Sequence, residues 1–398
     1  AGRGRRHGAV RARCRPARPT TAGAASGGGA SSPPPFQLGP RVTRAARLQA
    51  YVRRPGDPAH RPLRVFATDP TGSRGDGAVA IVEVPYEPVD PGPVGQIFAV
   101  DATDGRCGVR YVPLDLDDAG VMLRDGHAPS PSDPRFHQQM TYAVASTVYA
   151  TFRRALGRDV AWGFDGDGAT PTAPGRLTLR PFASGERNAY YDRSEGTVCF
   201  GYFEAPSEAR GLNPPGSFVF TSLSHDVVAH EITHALLDGL RAHFMYPTGP
   251  DVLAFHEGFA DLIALFHRLT YPDVVRSALW RARGDPTRDE LLTNIAKQLG
   301  ESTGAGRSVR SAVDQLGVSE PRAYDPSLPP HELGGVLLAA VFEAFGSVFR
   351  RKTRRYVRLA QDGSVETREL TTDLLEVLIE RCGRLARQFL SICVRGID

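Results

Sequence analysis

The stretch "DVVAHEITHALLD", Asp226 to Asp238, constrains this chain more than any other part of it. Two histidines stand four positions apart, with a glutamate directly after the first, inside an otherwise apolar run. On a helix, residues four apart lie one turn above each other, so His230 and His234 project from one face and can hold one ion between their imidazoles. Glu231 then points beside that ion. In zinc hydrolases with this HExxH pattern the glutamate is not a ligand but the base that deprotonates the attacking water. The pattern predicts a helix from Ser224 to Arg241, with Ser224 as N-cap and Gly239 near the end.

A catalytic zinc takes three protein ligands and keeps one position open, so a further donor is required. The extended motif HExxHxxGxxH is absent, because Leu237 and Leu240 occupy its glycine and third-histidine positions. The next apolar helix reads "FHEGFADLIALF", Phe255 to Phe266, with Glu257 and Asp261 one turn apart. Glu257 follows His234 by 23 residues, enough for one helix to end and an antiparallel one to bring a carboxylate back. The expected set is one Zn2+ on His230, His234 and Glu257, with Asp261 accepting the other ring N–H of a ligand histidine. The other histidines are expected to pack or face solvent. His225 points to another face, His256 adjoins Glu257 and cannot share its direction, and His137, His243 and His267 lack partners.

These two helices resemble those of the thermolysin-like metallopeptidases of the gluzincin class, which carry HExxH followed by ExxxD. The resemblance extends to "NAYYDRSEGT", similar to the family's edge strand that pairs with the substrate backbone, and so implies that Asn188 and Ala189 align the peptide. It further implies an oxyanion donor at His331, which precedes a Gly-Gly helix start, with Asp325 orienting it and Tyr246 as an accompanying phenol donor. Val227 matches a wall of the family's apolar specificity pocket. The covered region runs from about Asp133 to Phe349. No pro-domain is recognisable, and the family's calcium-binding carboxylates and substrate-clamping arginine are not placed, so calcium has no assigned site.

The whole chain carries a net charge of +4, which invites a nucleic-acid reading. The charge is uneven: residues 1–56 hold twelve arginines and no acidic residue, and the remainder has 36 basic against 44 acidic residues, a net of −8. No nucleic acid is therefore expected for the folded part. The Gly, Ala, Ser and Pro content of the tail marks a segment unable to build a core. It lacks the apolar centre of a secretory signal, and although it resembles an organellar leader, lysine occurs only at Lys297 and Lys352, so an arginine-rich composition explains the likeness equally. No apolar run reaches the roughly eighteen residues of a membrane span, and Val336 to Phe349 reads as amphipathic or buried helix. The five cysteines show no CxxC and no disulfide framework.

The expected architecture is α+β of zincin, thermolysin-like type. A disordered tail (1–56) precedes an α/β part (57–222) with the substrate-binding edge strand and a mainly helical part (223–398), with the zinc site in the cleft between the last two. Arg61 to Tyr111 reads as antiparallel sheet, and Asp133 to Gly157 as a long helix. Helices are expected at Val252 to Thr270, Arg288 to Leu299, Gly334 to Arg350 and Thr372 to Val394. The function expected is zinc-dependent hydrolysis of peptide bonds in a peptide or protein substrate. The alternative is a latent or peptidase-like zinc protein acting as a narrow-specificity or binding module.

Overall fold

The computed structural model describes residues 50–68, 70, 78–166, 175–205, 215–289, 294–295, 310–311, 324–360 and 370–398. Most of the basic tail, Cys14 with it, lies outside these residues. Gly39–Asp398 forms one compact unit. Within it the architecture is mixed α+β, with seven α-helices among the described residues.

Strands β1 (His60–Phe66) and β2 (Val79–Pro85) pair antiparallel, as their alternating patterns require. The next strand corrects the all-antiparallel expectation. β3 (Phe98–Val100) pairs parallel with β4 (Leu177–Ser184), which pairs parallel with β6 (Thr197–Glu204). The near-continuous burial along β4 and β6 is the mark of strands covered on both faces. β5 (Ala189–Asp192) lies antiparallel at the end of this sheet, and β7 (Phe218–Phe220) pairs farther along β6. At Gly201 a Cβ would meet the Glu186 carbonyl oxygen at 2.1 Å, so only glycine lets the chain entering β5 come this close to β6.

After α1 (Ala119–Met122), helix α2 (Pro134–Leu156) runs between the sheets and the later helices. Asp133 caps its start and Gly157, at φ 69°, ends it in the left-handed conformation that glycine tolerates. The motif helix α3 (His225–Leu240) is buried on almost every face, which identifies a core helix. Ser224 is its N-cap residue, as expected, in extended backbone, although its side chain makes no capping bond. Gly239 serves packing rather than termination: a Cβ there would lie 1.9 Å from the Ala161 carbonyl oxygen.

Helix α4 (Pro250–Arg268) returns antiparallel along α3, and α5 (Pro272–Arg281), which the sequence reading did not foresee, turns away after it. Of the helix expected from Arg288 to Leu299, Asn294–Ile295 is instead a short strand, β8, paired with β9 (Arg310–Ser311), and most of the rest lies outside the described residues. Helix α6 (Pro330–Ala360) starts earlier and ends later than expected. It is long and apolar enough to cross a membrane by length and composition alone, and 44% of its most apolar stretch is buried in the fold. It crosses α4 where two glycines meet: a Cβ on Gly258 would lie 2.5 Å from the Gly334 carbonyl oxygen. Helix α7 (Thr372–Gly396) closes the core against α2, α5 and α6.

A candidate metal centre between the motif helix and its partner

The antiparallel α3/α4 pair sets one register, and the site follows from it. His230 lies beside Asp261, whose Oδ1 accepts from the His230 Nδ1–H at 2.8 Å. One turn along, the Nδ1 atoms of His234 and His256 are 3.1 Å apart. Each ring thereby turns Nε2 inward. The two Nε2 atoms come within 2.9 Å of each other, and the Glu257 carboxylate reaches them at 3.2 and 3.7 Å.

In the tautomer that places both ring protons on Nδ1, against Asp261 and His256, the inner nitrogens present lone pairs to each other and to a carboxylate. Three acceptors facing one point call for a cation. His230, His234 and Glu257 are also the one group of three or more His, Cys, Asp or Glu among the described residues whose donor atoms converge, all within 4.8 Å. Two imidazoles and one carboxylate with buried outer-shell partners suit a borderline ion such as zinc better than an oxygen-seeking one such as calcium.

Burial shapes the electrostatics. Asp261 is fully buried, and His230 is 4% exposed. Burial alone would raise the Glu257 carboxyl, but the imidazoles of His230, His331 and His234 gathered around it hold it well below the usual carboxylate range. Burial pushes His256 below its ordinary value, so it stays neutral and can accept the His234 proton.

His256 is the residue the sequence reading missed. On α4 it points about 100° away from Glu257, yet that direction faces His234 because α3 packs alongside. The usable signal was the register itself: pairing His230 with Asp261 carries His234 to residue 256 or 257.

The remaining expected residues are placed as follows. Glu231 sits on α3 at 8% exposure, next to the converging nitrogens in sequence. His331, in the first turn of α6, puts Nδ1 2.7 Å from Glu257 Oε2, a position created by the Gly258–Gly334 crossing. Asp325 was expected to hold His331. Its Oδ1 instead accepts from the Ser327 N–H and hydroxyl, and the partner seen on His331 is Glu257. Tyr246 follows a short 3-10 turn and is 55% exposed, whereas Val227 is buried on α3. Ala189 pairs with Phe200 in β5, and the Asn188 carbonyl accepts from the Gly201 N–H at 2.9 Å while the residue stays exposed.

Three histidines expected to lack partners or to pack generically are held specifically. His137 donates from Nε2 to the Pro131 carbonyl at 2.8 Å, with Ser222 Oγ at its Nδ1. His225 and His267 face each other in the core beside Tyr271. Compared with known proteins, the chain matches no family model and no curated protein.

Proposed function

We propose that this chain is a zinc-dependent endopeptidase of the thermolysin-like, gluzincin type. The observation that carries the reading is the convergence of the His230 and His234 Nε2 atoms and the Glu257 carboxylate, each histidine backed by an outer partner, beside Glu231 on the same helix. A β-rich part followed by helices, with the site where they adjoin, is the architecture the reading requires. Zinc, when bound, lowers the pKa of water to about 7 and polarises the scissile carbonyl.

The chain's own groups do the rest. Glu231 takes a proton from the attacking water and delivers it to the leaving amine, acting as base and then acid. Asp261 and His256 hold the two ligand imidazoles in the tautomer that offers Nε2. His331, which lies against Glu257 here, is assigned as the donor to the oxyanion, a role worth about 3 to 4 kcal/mol in comparable sites. Tyr246 is assigned as the second donor and Val227 as part of the apolar pocket wall. β5 is the last strand of its sheet, so an extended peptide adds beside Asn188 and Ala189 as a further strand.

Metal content and cleavage of a general protein substrate, measured for the full chain and for Glu231→Gln, test this. Chelator-sensitive cleavage in the parent alone, with zinc in both, is the expected result. Zinc in both with cleavage in neither supports the latent or narrow-specificity alternative, and failure of His230, His234 and Glu257 to hold zinc overturns both readings.

A further inference from the structure

The same antiparallel register that builds the candidate centre builds a second convergence at the other end of the helix pair. There His225, at the start of α3, meets His267, near the end of α4, and Tyr271, just beyond it. His225 Nε2 is 3.2 Å from His267 Nδ1 and 3.1 Å from the Tyr271 hydroxyl, and that hydroxyl is 3.2 Å from His267 Nδ1. The three atoms form a nearly equilateral triangle. Exposures of 1%, 3% and 8% keep the three residues inside the protein.

Counting protons shows what this triangle lacks. The Asp226 carboxylate, paired with Arg268 at 2.7 Å, can only accept, so the His225 ring proton belongs on Nδ1, 3.3 Å from Asp226 Oδ1, and Nε2 offers a lone pair. The Thr147 main-chain carbonyl takes a ring proton from His267. With Nδ1 turned toward His225, that proton sits on Nε2, and Nδ1 offers a lone pair too. Tyr271 has one phenolic proton for these two nitrogens.

We propose that His225 Nε2, His267 Nδ1 and Tyr271 Oη are the ligands of a second zinc site. Donor atoms 3.1 to 3.2 Å apart subtend about 105° at an ion bound at about 2 Å, close to the tetrahedral arrangement zinc adopts. The outer ring protons on Asp226 and on a main-chain carbonyl are the supports that ligand histidines use. A cavity of about 480 Å³, lined by His60, Glu83, Thr147 and Thr270 among others, reaches His267 and Tyr271. An ion, and a fourth, water ligand, would approach from this side. Binding would replace the phenolic O–H bond of Tyr271 with an oxygen–metal bond, the proton leaving to bulk water, and no electrons are transferred. The ion would fasten the two helices that carry His230, His234 and Glu257. It is independent of the peptidase reading.

The test uses the full chain, stripped with chelator and titrated with Zn2+, with bound metal measured after desalting. The parent is expected to hold two equivalents, and the His230→Ala/His234→Ala chain one. Adding Tyr271→Phe to that chain should weaken the remaining equivalent at least tenfold, and adding His267→Asn should abolish it. Because His267→Asn removes a core residue, a second readout uses no core substitution: zinc added to His230→Ala/His234→Ala should produce a tyrosinate difference band in the near ultraviolet. No zinc in the folded His230→Ala/His234→Ala chain, no tyrosinate band, or an equivalent that survives both core substitutions overturns the site and leaves a hydrogen-bonded triad.

Discussion

Glu231, Asp261 and His256 divide the work at the candidate centre in ways that single substitutions separate. Glu231→Gln keeps the shape and removes the proposed base, so on the peptidase reading cleavage should fall about 10²- to 10⁴-fold with zinc content unchanged. Asp261→Asn leaves only a neutral acceptor for the His230 Nδ1–H, and zinc affinity, measured against a competing chelator, should drop about 10- to 100-fold. His256→Phe keeps a ring beside His234 but no acceptor, and a loss of similar size is expected; unchanged affinity would reduce His256 to packing. His230, His234, Glu257 and Asp261 were legible as residues because a spacing of four places side chains on one helical face whatever surrounds the helix. His256 was not, because its role depends on where a second helix lies.

At the scale of elements, the α4/α6 crossing decides whether His331 reaches the site. Gly258 and Gly334 pass with no room for a Cβ on either. Gly258→Ala should therefore push the helices apart, costing about 1 to 3 kcal/mol in denaturant unfolding. Because His331 sits in the first turn of α6, kcat should fall with zinc affinity nearly unchanged, which sets this variant apart from changes at the ligands. Most helices were legible from apolar periodicity, and β1 and β2 from alternation. The pairing of β3 was not: three apolar residues carry no information on the direction of the neighbour, and its partner β4 comes after the long helix α2. The helix expected from Arg288 failed where a helix-compatible composition was overridden by the pairing of Asn294–Ile295 with Arg310–Ser311.

The molecule as a whole couples its stability to acid through buried neutral histidines. His137, on α2, gives its ring proton to the Pro131 carbonyl, and burial pushes its pKa down to about 4. An unfolded histidine titrates near 6.5, so between about pH 6.5 and 4 the unfolded chain binds the proton that the folded one refuses. Stability should then fall as pH drops through this window, by roughly 3 kcal/mol from this residue, and His137→Gln should flatten that part of a denaturant-versus-pH series. Zinc should raise Tm with concentration, and chelation should lower it, since the converged donors exist only in the folded chain. By itself the sequence determined the chemistry of α3 and α4: which atoms one helical face offers, and hence the expectation of a zinc site, because helical geometry is local. Only the tertiary structure decided the rest: that His256 backs His234, that Glu257 rather than Asp325 meets His331, and that His225, His267 and Tyr271 converge in the core. Those pairings depend on the register and close approach of elements far apart in the chain, which packing sets and no local pattern encodes.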